Sequence, residues 1–207
     1  MKGLGAALAG VTAVLTGCTY YNAVYNAERL YEQAESDLRA GRDSLAELRY
    51  REVARRTAEA YRADPAGERA GELLLLLGRA QLRTGEVRAA QLALEEALAR
   101  EQDPELRPRI LVDLGRALLR GGDPEGALAR ADEALELAPE EPVRAEAFLL
   151  RGSALLARGP GEEGWGDLER AAAAGGEVRV EAGLERLAAA VRHGRRQQAR
   201  EAIATLL

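Results

Sequence analysis

Residues 108–139 read PRILVDLGRALLRGGDPEGALARADEALELAP and contain two helical patterns separated by a turn. In the first half, apolar or small residues recur at i, i+3, i+4 and i+7, the spacing of one helix face; they are Leu111, Leu114, Gly115 and Leu118. Asp123 and Pro124 follow two glycines and suit the N-cap and the first residue of a second helix. Pro139 ends that helix, whose small residues allow close backbone approach: Ala127, Ala131 and Ala134. The stretch therefore predicts a helical hairpin.

The same pattern recurs along the chain. Gly78, Gly115 and Gly152 stand at equivalent places, each 37 residues after the one before. Weaker copies are centred on Ala34 and Leu187. A Gly inside a helix costs about 1 kcal/mol relative to Ala, so its repeated use indicates a place where a side chain would push two helices apart. A chain of 207 residues accommodates about five such units.

These residues match the tetratricopeptide (TPR) pattern at its characteristic places, so the chain resembles TPR proteins. The resemblance implies an all-α fold, a right-handed α-solenoid of about five helical hairpins over residues 28–207, with the fifth unit as C-terminal cap. Composition agrees, because aromatic residues make up 4% and charged residues 30%, which favours thin helix-to-helix interfaces over a bulky central core. Arg151 departs from the pattern, which has an apolar residue at that place.

Motifs for catalysis and metal binding do not occur in the sequence. GxSxG, HExxH and CxxC are missing, and His193 has no neighbouring Cys with which to bind zinc. Residues 159–164 match GxGxxG, but they follow a predicted helix and contain two Glu that would oppose a phosphate, so we interpret them as an interhelical turn. The net charge of −5 argues against nucleic-acid binding. We predict no enzymatic activity, metal or cofactor; an envelope enzyme on a helical scaffold is the alternative from another class.

The N-terminus has the form of a bacterial export signal, which we assign to residues 1–17. Its apolar segment of 15 residues would be about 22 Å long as a helix, too short for a hydrocarbon core of about 30 Å. The letters LTGC at residues 15–18 resemble the lipobox of bacterial lipoproteins. This resemblance implies cleavage before Cys18 and lipidation of its thiol, with residues 18–27 as a lipidated tether or cap. An ordinary signal peptide followed by an incidental Cys is the alternative.

Two further resemblances concern location and process. Thr19 follows the Cys where inner-membrane lipoproteins carry Asp, so we expect a protein anchored in the outer membrane and facing the periplasm.

Residues 20–35 (YYNAVYNAERLYEQAE) resemble the opening of BamD-type lipoproteins of β-barrel assembly. The resemblance implies a periplasmic scaffold for outer-membrane protein assembly that binds another envelope protein or an extended peptide segment. A pilotin or secretion-system accessory lipoprotein is the alternative. The tyrosines of this stretch either cover the end of the solenoid or contact the membrane interface.

In the TPR pattern, the second, fifth, ninth, twelfth and thirteenth places of each first helix line a concave ligand groove. On this chain these places predict a partner-binding groove of nine residues: Arg79, Arg83, Arg109, Arg116, Arg120, Leu75, Leu82, Val112 and Leu119. Such a groove suits an extended, partly acidic peptide, with arginines steering encounter and apolar side chains supplying burial. Reversing the charges of Arg83 and Arg116 is then expected to weaken partner capture without harming the fold. Alternatively, arginines spaced i, i+4 only solubilise the helices.

Overall fold

The computed structural model describes residues 4–101, 103–137 and 140–206, with side chains from residue 22 onward. These residues form ten α-helices and no strand: α1 (Leu4–Arg39), α2 (Asp43–Ala63), α3 (Ala70–Arg83), α4 (Val87–Arg100), α5 (Leu106–Arg120), α6 (Pro124–Glu136), α7 (Val143–Arg158), α8 (Glu162–Ala173), α9 (Gly176–Arg192) and α10 (Arg196–Leu206). The predicted leader over residues 1–17, Cys18 and Pro139 lie outside the residues whose side chains are described. In the described part of the chain, no helix is both long enough and apolar enough to cross a membrane.

The helices pair into consecutive hairpins. α1–α2 and α3–α4 form one compact unit, Met1–Arg100 (the N-terminal unit), and α5–α6, α7–α8 and α9–α10 form another, Glu101–Leu207 (the C-terminal unit). Within each unit, the second helix of one hairpin packs on the first helix of the next, and successive first helices also touch: α1 with α3, α5 with α7, and α7 with α9. The predicted all-α fold of stacked hairpins is confirmed.

The first hairpin is longer than the others, as the repeat spacing predicts. Ala34 and Gly78 are 44 residues apart, and α2 has 21 residues where α4 has 14. The added length brings Tyr61, near the end of α2, within hydrogen-bond distance of α4, where its hydroxyl donates to Glu96 at 3.2 Å. The extended helix therefore contributes to the packing of two hairpins.

The three repeat glycines lie where helices cross at close range. A Cβ built on Gly78 would meet a leucine of α4 at 2.5 Å, and one on Gly152 would lie 2.8 Å from the carbonyl oxygen of Gly164 in α8. A Cβ on Gly115 would meet the end of the Leu150 side chain, which belongs to the following hairpin, and would lie 3.3 Å from the carbonyl oxygen of Ala127 in α6. Because side chains at these places would force the helices apart, the predicted packing role of the glycines is confirmed.

The turn between α5 and α6 has the predicted chemistry. The carboxylate of Asp123 accepts a hydrogen bond of 2.9 Å from the backbone N–H of Gly126, and Pro124 is the first residue of α6. Gly122, just before the cap, has φ +86°, a conformation that strains any residue with a side chain. Asp123 therefore satisfies a free N–H group of the new helix while Gly122 reverses the chain.

The core of the C-terminal unit packs large side chains of one hairpin against small side chains of the next. Leu149 and Leu156 of α7 and Leu168 of α8 share one buried cluster with Ala182 and Ala189 of α9. The two alanines are seven residues apart, so they lie on the same face of α9. This combination of large and small residues lets α9 approach the preceding hairpin closely.

Arg151, which departs from the repeat pattern, pairs with a buried carboxylate. Its Nε and Nη2 donate to the two carboxylate oxygens of Asp167 in α8 at 2.6 and 2.9 Å, and its Nη1 donates to Asp132 in α6 at 3.2 Å. The Asp167 side chain is fully buried and also accepts from Arg170 at 2.9 Å. Hydrogen bonding to Asp167 raises the pKa of Arg151 above its ordinary value. An ion pair thus occupies a place where the repeat pattern has an apolar contact.

The tyrosine-rich segment packs through its apolar residues. Val24 and Ala27 of α1 are buried in a cluster with Leu73 and Leu76 of α3. The Tyr25 side chain points away from this cluster and is 51% exposed. The side chains of Tyr20 and Tyr21 lie outside the described ones. Covering of the stack by the tyrosine rings and their contact with a membrane interface both stay predictions.

Candidate functional site

The structure places the predicted groove residues in two separate groups. One group lies on α3 in the N-terminal unit: Leu75, Arg79, Leu82 and Arg83. The other lies on α5 in the C-terminal unit: Arg109, Val112, Arg116, Leu119 and Arg120. In each unit the group borders another first helix, α1 beside α3 and α7 beside α5. The side chains of those neighbouring helices decide how much of each group faces solvent.

Arg83 is held by an acidic side chain of α1. Its Nε and Nη2 donate to the two carboxylate oxygens of Glu35 at 3.0 and 2.9 Å. The side chains are 33% and 16% exposed, respectively. A two-pronged contact of this kind fixes the geometry of both partners. Arg83 therefore joins the first helices of the N-terminal unit and does not present an unpaired positive charge.

Two tyrosines complete this contact. The Tyr50 hydroxyl donates to Glu35 at 2.8 Å, and the rings of Tyr31 and Tyr50 meet edge to face with their centroids 5.4 Å apart. The Arg83 guanidinium lies 6.0 Å from the centroid of the Tyr50 ring. Burial, reinforced by the bond to Glu35, raises the pKa of Tyr50 above its ordinary value. The cluster is a polar link between α1, α2 and α3.

Arg116 is surrounded by carboxylates of the C-terminal unit. Its Nη1 lies 3.0 Å from Asp113 on α5 and 3.0 Å from Glu146 on α7, and its side chain is 27% exposed. Burial acts to lower the pKa of Arg116, but the negative charges of Asp113, Glu146 and Glu181 outweigh burial and raise it. Arg116 therefore balances acidic charge where first helices meet, a role that the spacing within α5 does not predict.

The apolar members of the predicted groove are mostly covered. Leu75, Leu82 and Val112 have exposed fractions of 5%, 6% and 1%. Leu119 is half-buried and packs on a cluster that contains Leu150 of the following hairpin. In the C-terminal unit, the fifth and twelfth places of a first helix face the next hairpin, as the equivalent leucines of α7 do. This burial corrects the expectation that these side chains are available for apolar contact with a peptide.

The remaining arginines differ in their surroundings. Arg109 and Arg120 are exposed on α5, whereas Arg79 is half-buried on α3. Arg109 forms no ion pair with any residue that the structure describes. The second and thirteenth places of the repeat on α5 are therefore exposed arginines, on either side of the more deeply covered Arg116.

His193 and the glycine-rich residues 159–164 lie where they contribute to the fold. His193 Nε2 lies 2.9 Å from the backbone carbonyl oxygen of Leu156. Residues 159–161 connect the end of α7 to the start of α8, and residues 162–164 form the first turn of α8. The interpretation of GPGEEG as an interhelical turn is therefore confirmed for its first three residues. Among the described residues, no group of three or more His, Cys, Asp or Glu side chains is arranged to hold a metal ion.

The chain is similar to known proteins in its repeat pattern and in its fold. A family model described as "Tetratricopeptide repeat" matches residues 75–142 and 112–182, which together span more than half of the chain. A solved structure of PilF from Pseudomonas aeruginosa is similar with a TM-score of 0.54 and 16% sequence identity, over 89% of this chain and 90% of that chain. At this identity the similarity concerns the fold alone. No curated protein matches the sequence.

Proposed function

Because the chain belongs to the tetratricopeptide-repeat family, we propose that it is a scaffold for protein–protein contacts in the bacterial cell envelope. The observation that carries the proposal is the stack of helical hairpins, since repeat proteins use the extended surface of stacked units to bind other chains. The chain performs no catalysis in this proposal. Its single histidine is bonded to a backbone carbonyl, which supports a structural role for that side chain.

The proposed contact surface is the exposed face of α5, where Arg109 and Arg120 carry solvent-facing charge. An extended, acidic segment of another envelope protein fits this charge. Exposed charges at an interface mainly speed encounter and select the partner. Arg83 is left out of the surface because it lies on α3 in the N-terminal unit. Arg116 is left out because its side chain is only 27% exposed.

Charge reversal tests this surface. The partner is first identified by chemical crosslinking and affinity capture of the full chain from native membranes. The double change Arg109→Glu with Arg120→Glu is expected to reduce capture and its salt dependence, because it replaces attraction for an acidic segment by repulsion. The matched control reverses Arg62 and Arg88, which are exposed on second helices. Capture that survives the α5 reversal and fails with the control would show that another face is used.

Anchoring is the second part of the proposal. Cleavage before Cys18 and acylation of its thiol would hold the scaffold at the periplasmic face of the outer membrane, since several acyl chains give stable anchoring whereas one chain binds marginally. The support is the sequence LTGC after a short apolar segment, followed by Thr19. Intact-mass analysis of membrane-extracted protein should show loss of residues 1–17 and an added acyl mass. A mature protein that keeps residues 1–17, or that starts at Cys18 without lipid, would contradict the anchor.

The cellular process we propose is outer-membrane protein assembly, on the likeness of residues 20–35 to BamD-type lipoproteins. A pilotin or secretion-system accessory lipoprotein would use the same scaffold and anchor. The crosslinked partner separates the two: a component of β-barrel assembly supports the first, and a component of a pilus or secretion channel supports the second.

A further inference from the structure

Four apolar side chains lie exposed at one end of the C-terminal unit. They are Val180, Leu184 and Val191 on α9 and Ile203 on α10, with exposed fractions of 52%, 54%, 69% and 46%. Val180, Leu184 and Val191 occupy the first, fifth and twelfth places of the repeat, on its first helix. Ile203 occupies a place on its second helix. We call these four residues the end face.

The equivalent side chains of the two preceding hairpins are covered. In α7–α8 they are Ala145, Leu149, Leu156 and Leu168, with exposed fractions of 1%, 7%, 0% and 0%. In α5–α6 they are Pro108, Val112, Leu119 and Ala131, of which all but the half-buried Leu119 are buried. The same places therefore change from buried to exposed only in the last hairpin of this unit.

The following hairpin is what covers these places. Leu149, Leu156 and Leu168 pack in one cluster with Ala182 and Ala189 of α9. One hairpin earlier, Leu119 and Ala131 pack with Leu150 and Ala154 of α7. A large side chain at the fifth or twelfth place thus meets a following first helix that carries small residues seven apart: Ala147 and Ala154 in α7, Ala182 and Ala189 in α9.

The two faces of α9 point in opposite directions. At 100° per residue, Val180, Leu184 and Val191 fall within roughly 40° of one another. Ala182 and Ala189 fall roughly opposite, on the side that packs against α7 and α8. α9 therefore receives the preceding hairpin on its small-residue face and presents on its other face the same type of surface that α7 presents to α9.

We propose that the end face binds an amphipathic α-helix of another protein, one that carries small residues seven apart and extends the stack by one helix. The inference rests on the proposed role as a protein-interaction scaffold, but it uses a surface separate from the arginines of α5. The end face continues the series of interfaces between α5, α7 and α9, and these interfaces show the shape and chemistry of a helix that would pack on it. Exposed apolar patches of this kind mark interaction sites.

A second copy of the chain fits this surface less well. Joining two end faces would oppose the valines, leucine and isoleucine of one copy to the same side chains of the other. The interfaces inside the C-terminal unit instead place leucines against alanines. A foreign helix with alanines or glycines at i and i+7 reproduces that packing.

The probe is a labelled peptide with the sequence of residues 176–192, because α9 itself carries the required small-residue face. Val180→Gln, Leu184→Gln and Val191→Gln in the peptide make its second apolar face largely polar, so that its main apolar surface is the one that packs within the chain, with Val178, Ala182 and Ala189. Fluorescence anisotropy of this peptide is followed as the full chain is added. Saturable binding is expected, and a peptide that also carries Ala182→Gln and Ala189→Gln should not bind.

Variants of the full chain locate the contact. Leu184→Arg with Val191→Arg should weaken peptide binding by at least about tenfold, because both apolar side chains would be buried in the contact and a charged guanidinium would lose its hydration there. Both residues are exposed, so the fold should survive; circular dichroism checks this, and Ile203→Arg provides a second variant on α10. The matched control is Leu48→Arg with Leu92→Arg, which changes residues that are 64% and 53% exposed on other helices.

The outcomes separate the two proposals. No saturable binding to the unaltered chain, or equal binding to the end-face variant, would overturn this inference while leaving capture through Arg109 and Arg120 unaffected. Self-association of the full chain in sedimentation, abolished by the end-face variant, would assign the surface to a second copy and also overturn it. Peptide binding that persists in the Arg109→Glu, Arg120→Glu variant would confirm that the end face acts independently of α5.

Discussion

Gly152 of α7 and Gly164 of α8 approach so closely that a Cβ built on Gly152 would lie 2.8 Å from the carbonyl oxygen of Gly164. In the reverse direction, a Cβ on Gly164 would lie 3.1 Å from the carbonyl oxygen of Gly152. Both opposing oxygens belong to helix backbones, which cannot rotate aside as the end of a side chain can. The separation of α7 and α8 therefore depends on the lack of a side chain at this crossing.

We expect Gly152→Ala to destabilise the fold although Ala favours a helix over Gly by about 1 kcal/mol. Overpacking costs about 1–3 kcal/mol, so the free energy of unfolding should fall by about 1 kcal/mol in urea denaturation. Gly166→Ala in α8 is the control, because nothing lies within 4 Å of a Cβ built there. That variant should be neutral or stabilising. Equal midpoints for the two variants would contradict the close crossing.

The buried carboxylate of Asp167 gives a second prediction. Asp167→Ala removes the partner of Arg151 and should lower the free energy of unfolding by about 3 kcal/mol, the lower end of the cost of breaking a buried ion pair. Replacing both residues by apolar ones, Arg151→Met with Asp167→Leu, should cost less because no unpaired charge is left behind. Both are measured by chemical denaturation.

Asp132→Ala is the control for this pair. The Asp132 side chain is 49% exposed and forms one ion pair with Arg151, at 3.2 Å. Its loss should therefore lower the free energy of unfolding by less than about 1 kcal/mol. A cost for Asp132→Ala equal to that of Asp167→Ala would show that burial of Asp167 is not what makes its pair important.

Features inside one hairpin could be predicted from the sequence, and contacts between hairpins could not. The close packing at Gly152 and the helix cap at Asp123 involve residues of the same hairpin. The repeat spacing alone identifies these residues as neighbours. Arg83 and Glu35 are 48 residues apart on different hairpins, and no spacing within a helix indicates that they meet. The repeat pattern placed Val112 at a groove position, whereas the fifth place of α5 is buried. The signal for Asp167 was present in part, since an Arg at an apolar place requires a partner.

The pKa of Glu52 gives a prediction about acid stability. Hydrogen bonds from Arg55 and Arg56 lower this pKa to about 2, below the roughly 4.3 of an unfolded chain. The folded state therefore binds fewer protons between these values, so the stabilisation is complete above the unfolded pKa and is lost as the pH falls towards 2. Because both pairs lie at the surface of α2, the contribution should be a few tenths of a kcal/mol.

Titration of the Glu52 carboxyl by NMR measures this pKa directly. Glu52→Gln should reduce the dependence of the free energy of unfolding on pH between about 4.3 and 2, by the amount that the pairs contribute. High salt should shrink the difference between the variant and the unaltered chain, since surface pairs are screened. A titration midpoint near the ordinary glutamate value would contradict the predicted hydrogen bonding.

The last prediction concerns Arg83 and Glu35, which join α1 to α3. A double-mutant cycle of Arg83→Met and Glu35→Gln should give a coupling free energy of about 1 kcal/mol, because the two share charge-assisted hydrogen bonds and Glu35 is largely covered, although Arg83 is partly exposed to solvent. Arg83→Glu should be worse than Arg83→Met, since it places a second carboxylate against Glu35 and removes the charge that balances it. Reversal of Arg83 is therefore predicted to destabilise the fold, contrary to what we expect from the sequence alone. Arg88→Glu, at an exposed position of α4, is the matched control and should change the free energy of unfolding by less than about 0.5 kcal/mol. A coupling energy of zero, or equal losses for Arg83→Glu and Arg88→Glu, would show that the link between α1 and α3 does not stabilise the N-terminal unit.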